Sequence, residues 1–305
     1  MSESDRPSAP RRRWAGALSG RANGAESAPP TVGGPGLPPA LPACPEGCVT
    51  GAPDFIGVGA QRCGTTRWFD LITAHPEVAA PASRKELHFF DRFHSGGFKP
   101  GHTERYHQYF PRPAHLRAGE WTPYYMSAPW IAPLLAAAAP EARLLVALRD
   151  PLERQLSGLQ LEGERQRQRG EQLTRSMALE QFVRGLYHQQ IVRLLRHFDR
   201  SRILILQYER CTREPLAELR RTYEFLGLED VEFVPSLDAH PLRQPEKPEL
   251  DAPTREAYLD AYREDVGRLV QAAPEIDIGL WPNFAHLAER SAPPSPAAAG
   301  DAPGA

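Results

Sequence analysis

One stretch constrains this chain more than any other: Asp54-Phe-Ile-Gly-Val-Gly-Ala-Gln-Arg-Cys-Gly-Thr-Thr66, an apolar strand opening into a glycine-containing loop that ends in two threonines. Strand, tight turn and helix start in that order aim several backbone N–H groups and the positive end of a helix dipole at one point. Such a point holds a phosphate-like anion. Gly59-x-x-x-x-Gly64 has the glycine spacing of a nucleotide-triphosphate P-loop. Thr65 stands where that motif demands lysine, Thr66 takes its serine/threonine place, and the cation within the loop is Arg62. The loop therefore reads as a phosphate cradle for something other than ATP hydrolysis.

The rest of the chain alternates strand and helix. Thr66 to His75 places Trp68, Phe69, Leu71 and Ile72 at helical spacing after the first strand. Arg143-Leu-Leu-Val-Ala-Leu-Arg-Asp150 repeats the strand design and ends at Pro151, a residue suited to the first turn of a helix expected to run through Ser157 and Leu161. A third strand, Arg202 to Tyr208, follows a long segment in which Leu179, Phe182, Val183, Leu186, Ile191, Leu194, Leu195 and Phe198 form one broad apolar stripe. A helix from Pro215 to Leu226 follows. This alternation predicts an α/β fold with a central parallel sheet flanked by helices, and ligands in such sheets bind outside the carboxyl ends of the strands. Three candidates fall there: Gln61 to Thr66, Arg149-Asp150 and Tyr208-Glu209.

Composition sets the borders. Residues 1–52 and 289–305 are rich in Pro, Gly, Ala and Ser and read as disordered tails, leaving one domain over 53–288. The net charge of -2 gives no reason to expect nucleic-acid binding. No apolar run of membrane length or secretory leader stands out, so the expectation is a cytoplasmic protein without a membrane anchor. The cysteines at 44, 48, 63 and 211 do not make a metal-ligand set.

Two further clusters carry chemistry. Arg149 and Ser157 lie two helical turns apart, so guanidinium and hydroxyl can meet on one oxyanion; equally, Arg149 can pair with Asp150 or Glu153 at the helix start. A magnesium role for Asp150 is a third reading, disfavoured by the missing loop lysine. Ser83-Arg84-Lys85-Glu86-Leu-His88-Phe89-Phe90-Asp91 gathers titratable groups beside two aromatics, with Glu86 and His88 on one side if the segment is extended. From spacing alone a surface turn of scattered ion pairs is the simpler reading.

Taken in order, Gln61-Arg-Cys-Gly-Thr-Thr66, Lys85-Glu-Leu-His-Phe-Phe90, Glu120-Trp-Thr-Pro-Tyr124 and Leu148-Arg-Asp-Pro-Leu-Glu-Arg-Gln-Leu-Ser157 resemble the sulfotransferases that use 3'-phosphoadenosine 5'-phosphosulfate. The pattern is most similar to the branch of the heparan sulfate O- and N-sulfotransferases and their bacterial relatives. The resemblance implies a single-domain, three-layer P-loop-like fold. It assigns Arg62, Cys63, Gly64, Thr65 and Thr66 to the phosphosulfate end of the donor, Arg149 and Ser157 to its 3'-phosphate, and Tyr208 to the nucleotide's vicinity. Glu86 takes the place of the catalytic base and His88 that of a neighbouring active-site histidine; Arg243 would close over the nucleotide. No metal is expected. The acceptor would be a small molecule, glycan or secondary metabolite.

Two departures accompany the resemblance. Arg62 replaces the family's usual lysine and cannot donate a proton at neutral pH. Trp121 replaces the lysine of the O-sulfotransferases, suggesting an aromatic platform and a less charged acceptor. Competing functions are a P-loop kinase or NTPase with a degenerate lysine position, and an inactive nucleotide-binding module using Trp121, Trp130 and Phe89-Phe90 for partner contact.

Overall fold

The apolar runs become the inner strands of a four-stranded, all-parallel sheet. β1 (Phe55–Gly59) lies between β2 (Gly119–Trp121) and β3 (Arg143–Leu148), and β4 (Ile203–Gln207) lies beyond β3, giving the order β2-β1-β3-β4. β3 and β4 run in continuous register from Leu144 opposite Ile203 to Leu148 opposite Gln207. All five residues of β1 and of β4 are buried, as expected where helices cover both faces of a parallel sheet. The computed structural model describes residues 38–39, 43–83, 85–230 and 248–287, which belong to one compact unit. Arg84 and Arg243 lie outside the described residues, as do most of the two stretches read as tails.

Each strand feeds a helix. α1 (Thr65–Thr73) follows β1 and buries Trp68, Phe69, Leu71 and Ile72, the spacing read from sequence. α2 (Pro100–His107) and α3 (Ile131–Ala138) flank β2. α4 (Pro151–Gln168) starts on proline after β3, and α5 (Arg175–Val183) packs against it. α6 (Tyr187–Leu195) leads to β4, followed by α7 (Tyr208–Arg213) and α8 (Pro215–Leu226); α9 (Ala252–Ala272) packs on α6. Among the described residues no helix is long and apolar enough to cross a membrane.

Three expectations are corrected. The broad stripe from Leu179 to Phe198 is not one helix face, because the chain turns at Arg184 to Leu186 between α5 and α6. Ile191, Leu194 and Phe198 are buried while Leu179 and Val183 are 60% and 48% exposed. The stretch between Phe93 and Phe110 contributes Phe93, Tyr106, Tyr109 and Phe110 to the core, packed edge-on or tilted about Phe89, Phe90 and one another.

Trp121 is wholly buried rather than an acceptor platform. A Cβ on Gly57, its neighbour across β1 and β2, would lie 2.0 Å from the indole, so the glycine makes the space that the tryptophan fills. Its indole N–H donates to the Gly59 carbonyl at 3.2 Å. With Phe89 and Phe90 also fully buried, the aromatic set proposed for partner contact is core apart from Trp130. Residues 43–52 run against the domain: Val49 exchanges backbone hydrogen bonds with Arg112.

Candidate active site

The loop after β1 ends at Gly64, whose φ of +77° no β-carbon residue adopts comfortably, and a Cβ there would meet the Tyr208 ring at 3.1 Å. α1 then begins without a side-chain cap and without an acidic residue in its first turn. α4, α5 and α9 are capped by Asp150, Thr174 and Asp251, whereas α3, α6, α7 and α8 also start without a side-chain cap. The first-turn N–H groups of a helix have no intrahelical acceptors, so α1 offers both donors and dipole to an external anion. A tetrahedral oxyanion has the charge and shape that such a start accommodates.

Arg62, Glu86 and His88 hold φ angles of +70°, +65° and +53°, and these are the non-glycine residues at positive φ among the described ones. Each such conformation costs on the order of 1–3 kcal/mol and persists where surrounding contacts over-determine it. Those contacts are visible. The His88 N–H donates to Thr122 Oγ1 at 3.4 Å and the Phe89 N–H to the Tyr125 hydroxyl at 2.9 Å. Thr122 in turn donates to Glu120 Oε2, and Tyr106 to Glu120 Oε1, both at 2.6 Å. Burial raises the Glu120 pKa. This carboxyl beneath the site was missed as functional from sequence, although it lies in the Glu-Trp-Thr-Pro motif.

Above that support, Glu86, His88 and Asp91 form a relay. His88 Nδ1 lies 2.7 Å from Asp91 Oδ2 and Nε2 lies 3.3 Å from Glu86 Oε2. Burial opposes the charge on His88, but the hydrogen bonds to Asp91 and Glu86 outweigh it and raise the pKa to about 9. Burial likewise opposes charge on Glu86, and the His88 hydrogen bond with the Lys85 ammonium overcomes it, drawing the pKa down to about 2. A raised histidine pKa stabilises the fold fully below the free value near 6.5 and loses that effect as pH rises through about 9; the depressed Glu86 stabilises above about 4.5 and loses it on falling through about 2. His88 is thus an imidazolium at neutral pH. An NMR titration of its ring protons is expected to show a midpoint near 9, and a midpoint near 6.5 would dissolve the relay.

Lys85 joins the two halves. Its ammonium lies 3.4 Å from Thr65 Oγ1 and 3.2 Å from Glu86 Oε1, and burial lowers its pKa. Thr65 occupies the position where a P-loop carries lysine, so the missing cation arrives at the same point from the next segment. The sequence reading credited Arg62 alone.

On the opposite flank Arg62 Nε donates to Ser157 Oγ at 3.0 Å. Arg149 stacks over Tyr208, 4.5 Å from the ring centroid, and its guanidinium is 3.5 Å from Glu153. Ser157 therefore meets the loop arginine, while the alternative pairing of Arg149 with Glu153 is present. Cys63 is buried, its thiol pushed up to about 12 by desolvation, and it faces the Tyr187 hydroxyl at 3.9 Å. Asp150 is fully buried and caps α4, accepting from Leu152 and Glu153 N–H, and from the backbone and side chain of Asn283. Both its oxygens are directed at protein donors, not at a metal. Arg154, also fully buried, was not read from sequence as a site residue; it bonds the Gln181 carbonyl and adds positive potential beside Cys63. Burial also pushes Glu209 up to about 7, where it accepts from the Asp150 N–H and the Trp281 indole.

A family model for the sulfotransferase domain matches residues 52–240. The chain belongs to that family. It is 34% identical over 112 residues to the membrane-associated sulfotransferase kil1 of Dictyostelium discoideum, covering 37% of this chain and 23% of that protein. To mouse heparan sulfate glucosamine 3-O-sulfotransferase 3A1 it is 30% identical over 191 residues, 59% of this chain and 47% of the relative. To mouse heparan sulfate glucosamine 3-O-sulfotransferase 6 it is 29% identical over 244 residues, 70% and 66%. The chain thus spans less than half the length of the first two relatives. Among solved structures, the sulfotransferase of Alicyclobacillus acidocaldarius shares the fold, with a TM-score of 0.59 at 23% identity over 75% of this chain and 98% of that one. For a sulfotransferase domain, the uncapped α1 start and the Glu86 relay lie beyond the carboxyl ends of β1 and β2, bridged by Lys85.

Proposed function

We propose that this protein transfers a sulfuryl group from 3'-phosphoadenosine 5'-phosphosulfate to a hydroxyl or amine acceptor by in-line displacement. The observation that carries this is the bridge at Lys85, one ammonium within reach of both the anion cradle at Thr65 and the carboxylate of Glu86. The donor, when bound, supplies an electrophilic sulfur and a phosphate leaving group. Arg62, Lys85 and the first N–H groups of α1 hold the phosphosulfate end and offset the charge that builds on the leaving oxygen. Arg149, seated over the Tyr208 ring, turns from Glu153 to the 3'-phosphate.

Glu86 receives the acceptor's proton. A carboxylate with so low a pKa is a weak base, yet an oxygen already bonding to sulfur sheds its proton readily, so proton transfer follows bond formation. His88, held by Asp91, fixes the carboxylate's direction. Lys85→Ala is expected to reduce turnover by about 10²–10³, the usual loss for one aimed donor. Steady-state kinetics with any accepted substrate checks it, and a loss below about threefold would remove Lys85 from the mechanism.

The donor assignment is tested by titrating the protein calorimetrically with adenosine 3',5'-bisphosphate and adenosine 5'-monophosphate. The 3'-phosphate is expected to add at least about tenfold in affinity, and Arg149→Ala to remove that difference. Equal losses for both nucleotides in the variant would show that Arg149 does not read the 3'-phosphate.

A further inference from the structure

Between the relay and solvent runs a row of rings, of which Tyr124 and Trp130 pack against the core while staying half-buried. The Tyr124 ring lies 6.4 Å from His88, Trp130 lies 6.4 Å from Tyr124, and His94 lies 6.0 Å from Trp130. Trp121, Tyr125, Phe89 and Phe90 around them are buried, whereas Tyr124 and Trp130 are half-buried and His94 is exposed. The row therefore starts at the group bonded to Glu86 and leads outward, where an acceptor must lie if its reacting atom is to reach that carboxylate. The indole N–H of Trp130 is engaged by the Phe90 carbonyl at 3.3 Å, which fixes the ring and leaves its carbon face to whatever lies against it.

Charge along the row is matched locally. His88 stands between Glu86 and Asp91, Lys85 lies on Glu86, and Arg184, 5.9 Å from the Tyr124 ring centre, is paired with Glu180. A polyanion would have to displace a carboxylate from each cation and meet three acids. Successive rings are inclined by 45°, 62° and 65°, which makes a faceted wall rather than a flat slot.

We propose that Tyr124 and Trp130 form the acceptor wall, and that it takes an uncharged, ring-bearing alcohol rather than a polyanionic sugar. This rests on the sulfuryl-transfer reading above. The wall supplies apolar contact for one ring face while Glu86 meets the hydroxyl, and no acceptor charge is needed.

The test uses the full chain with labelled donor and three acceptors: 2-naphthol, a neutral cello-oligosaccharide and a sulfated uronate oligosaccharide. Transfer to the first or the second supports the wall and tells aromatic from saturated rings. Trp130→Ala is expected to raise the acceptor KM about tenfold with little change in kcat, and Trp130→Phe to recover all but about threefold. Transfer confined to the sulfated oligosaccharide, transfer to none of the three while adenosine 3',5'-bisphosphate still binds, or an unmoved KM in Trp130→Ala overturns the acceptor wall alone. Loss of bisphosphate binding by the unmodified protein overturns the sulfuryl-transfer reading, and the wall with it.

Discussion

Glu86→Gln is expected to lower turnover by about 10³-fold while leaving nucleotide affinity intact. The amide keeps the shape of the side chain and removes its capacity to take a proton. Affinity for adenosine 3',5'-bisphosphate should not fall, because the substitution deletes a negative charge 3.2 Å from the Lys85 ammonium and leaves that cation to the anion. The same loss should lower the His88 pKa from its value near 9, since one of the two carboxylates that hold the imidazolium is gone. Turnover, a bisphosphate titration and a histidine NMR titration read the three effects separately. Unchanged turnover would remove Glu86 as the base, and a parallel fall in nucleotide affinity would recast it as part of the donor site.

Asp150→Ala is expected to cost about 3–5 kcal/mol of stability. The carboxylate is fully buried and accepts from Leu152 N–H at 3.0 Å, Glu153 N–H at 3.1 Å, and the backbone and side-chain nitrogens of Asn283 at 3.0 Å each. Losing an N-cap alone is typically worth about 0.5–2 kcal/mol. The two Asn283 donors, stranded in a dry place, add the remainder. These bonds also tie the start of α4 to the segment after α9, so the loss falls on the element that presents Ser157. A urea titration measures it as a shift of midpoint at unchanged slope. A change below about 1 kcal/mol, accompanied by loss of a magnesium-dependent nucleotide affinity, would return Asp150 to the metal-ligand role that its position after β3 first suggested.

The sheet was legible where burial is total. β1, β3 and β4 are buried almost throughout, so they appear as short runs of apolar residues and glycine that end at a turn or a polar residue. β2 is three residues long, and its tryptophan owes its burial to a glycine on the neighbouring strand, a relation between positions 57 and 121 that local pattern does not carry. The same blindness gave Trp121 a surface role. α9 was missed because its long run of charged residues hides the spacing of Tyr262, Val266 and Leu269, which it buries. Leu179 and Val183 show the reverse error, apolar residues at helical spacing that face solvent.

At the site, the loop and the titratable cluster from Lys85 to Asp91 stand out because each is contiguous in sequence, while the pairing of His88 with Asp91 does not. What could not be read is which cation serves which anion. Lys85 reaches Thr65 across twenty positions and Arg62 reaches Ser157 across ninety-five, contacts decided by how β1, β2 and β3 stand side by side. The left-handed backbone of Glu86 and His88 was equally hidden, since neither residue type announces it; only the chain from Glu120 through Thr122 to the His88 N–H explains why it persists.

In the proposed reaction the cradle after β1 serves a 3'-phosphoadenosine donor and not a nucleoside triphosphate. Calorimetric titration of the full chain with adenosine 3',5'-bisphosphate, beside ATP with magnesium, tests it most directly. Saturable binding of the bisphosphate that needs no divalent ion, with ATP at least about tenfold weaker, is the expected result. Magnesium-dependent ATP binding without bisphosphate binding would contradict it.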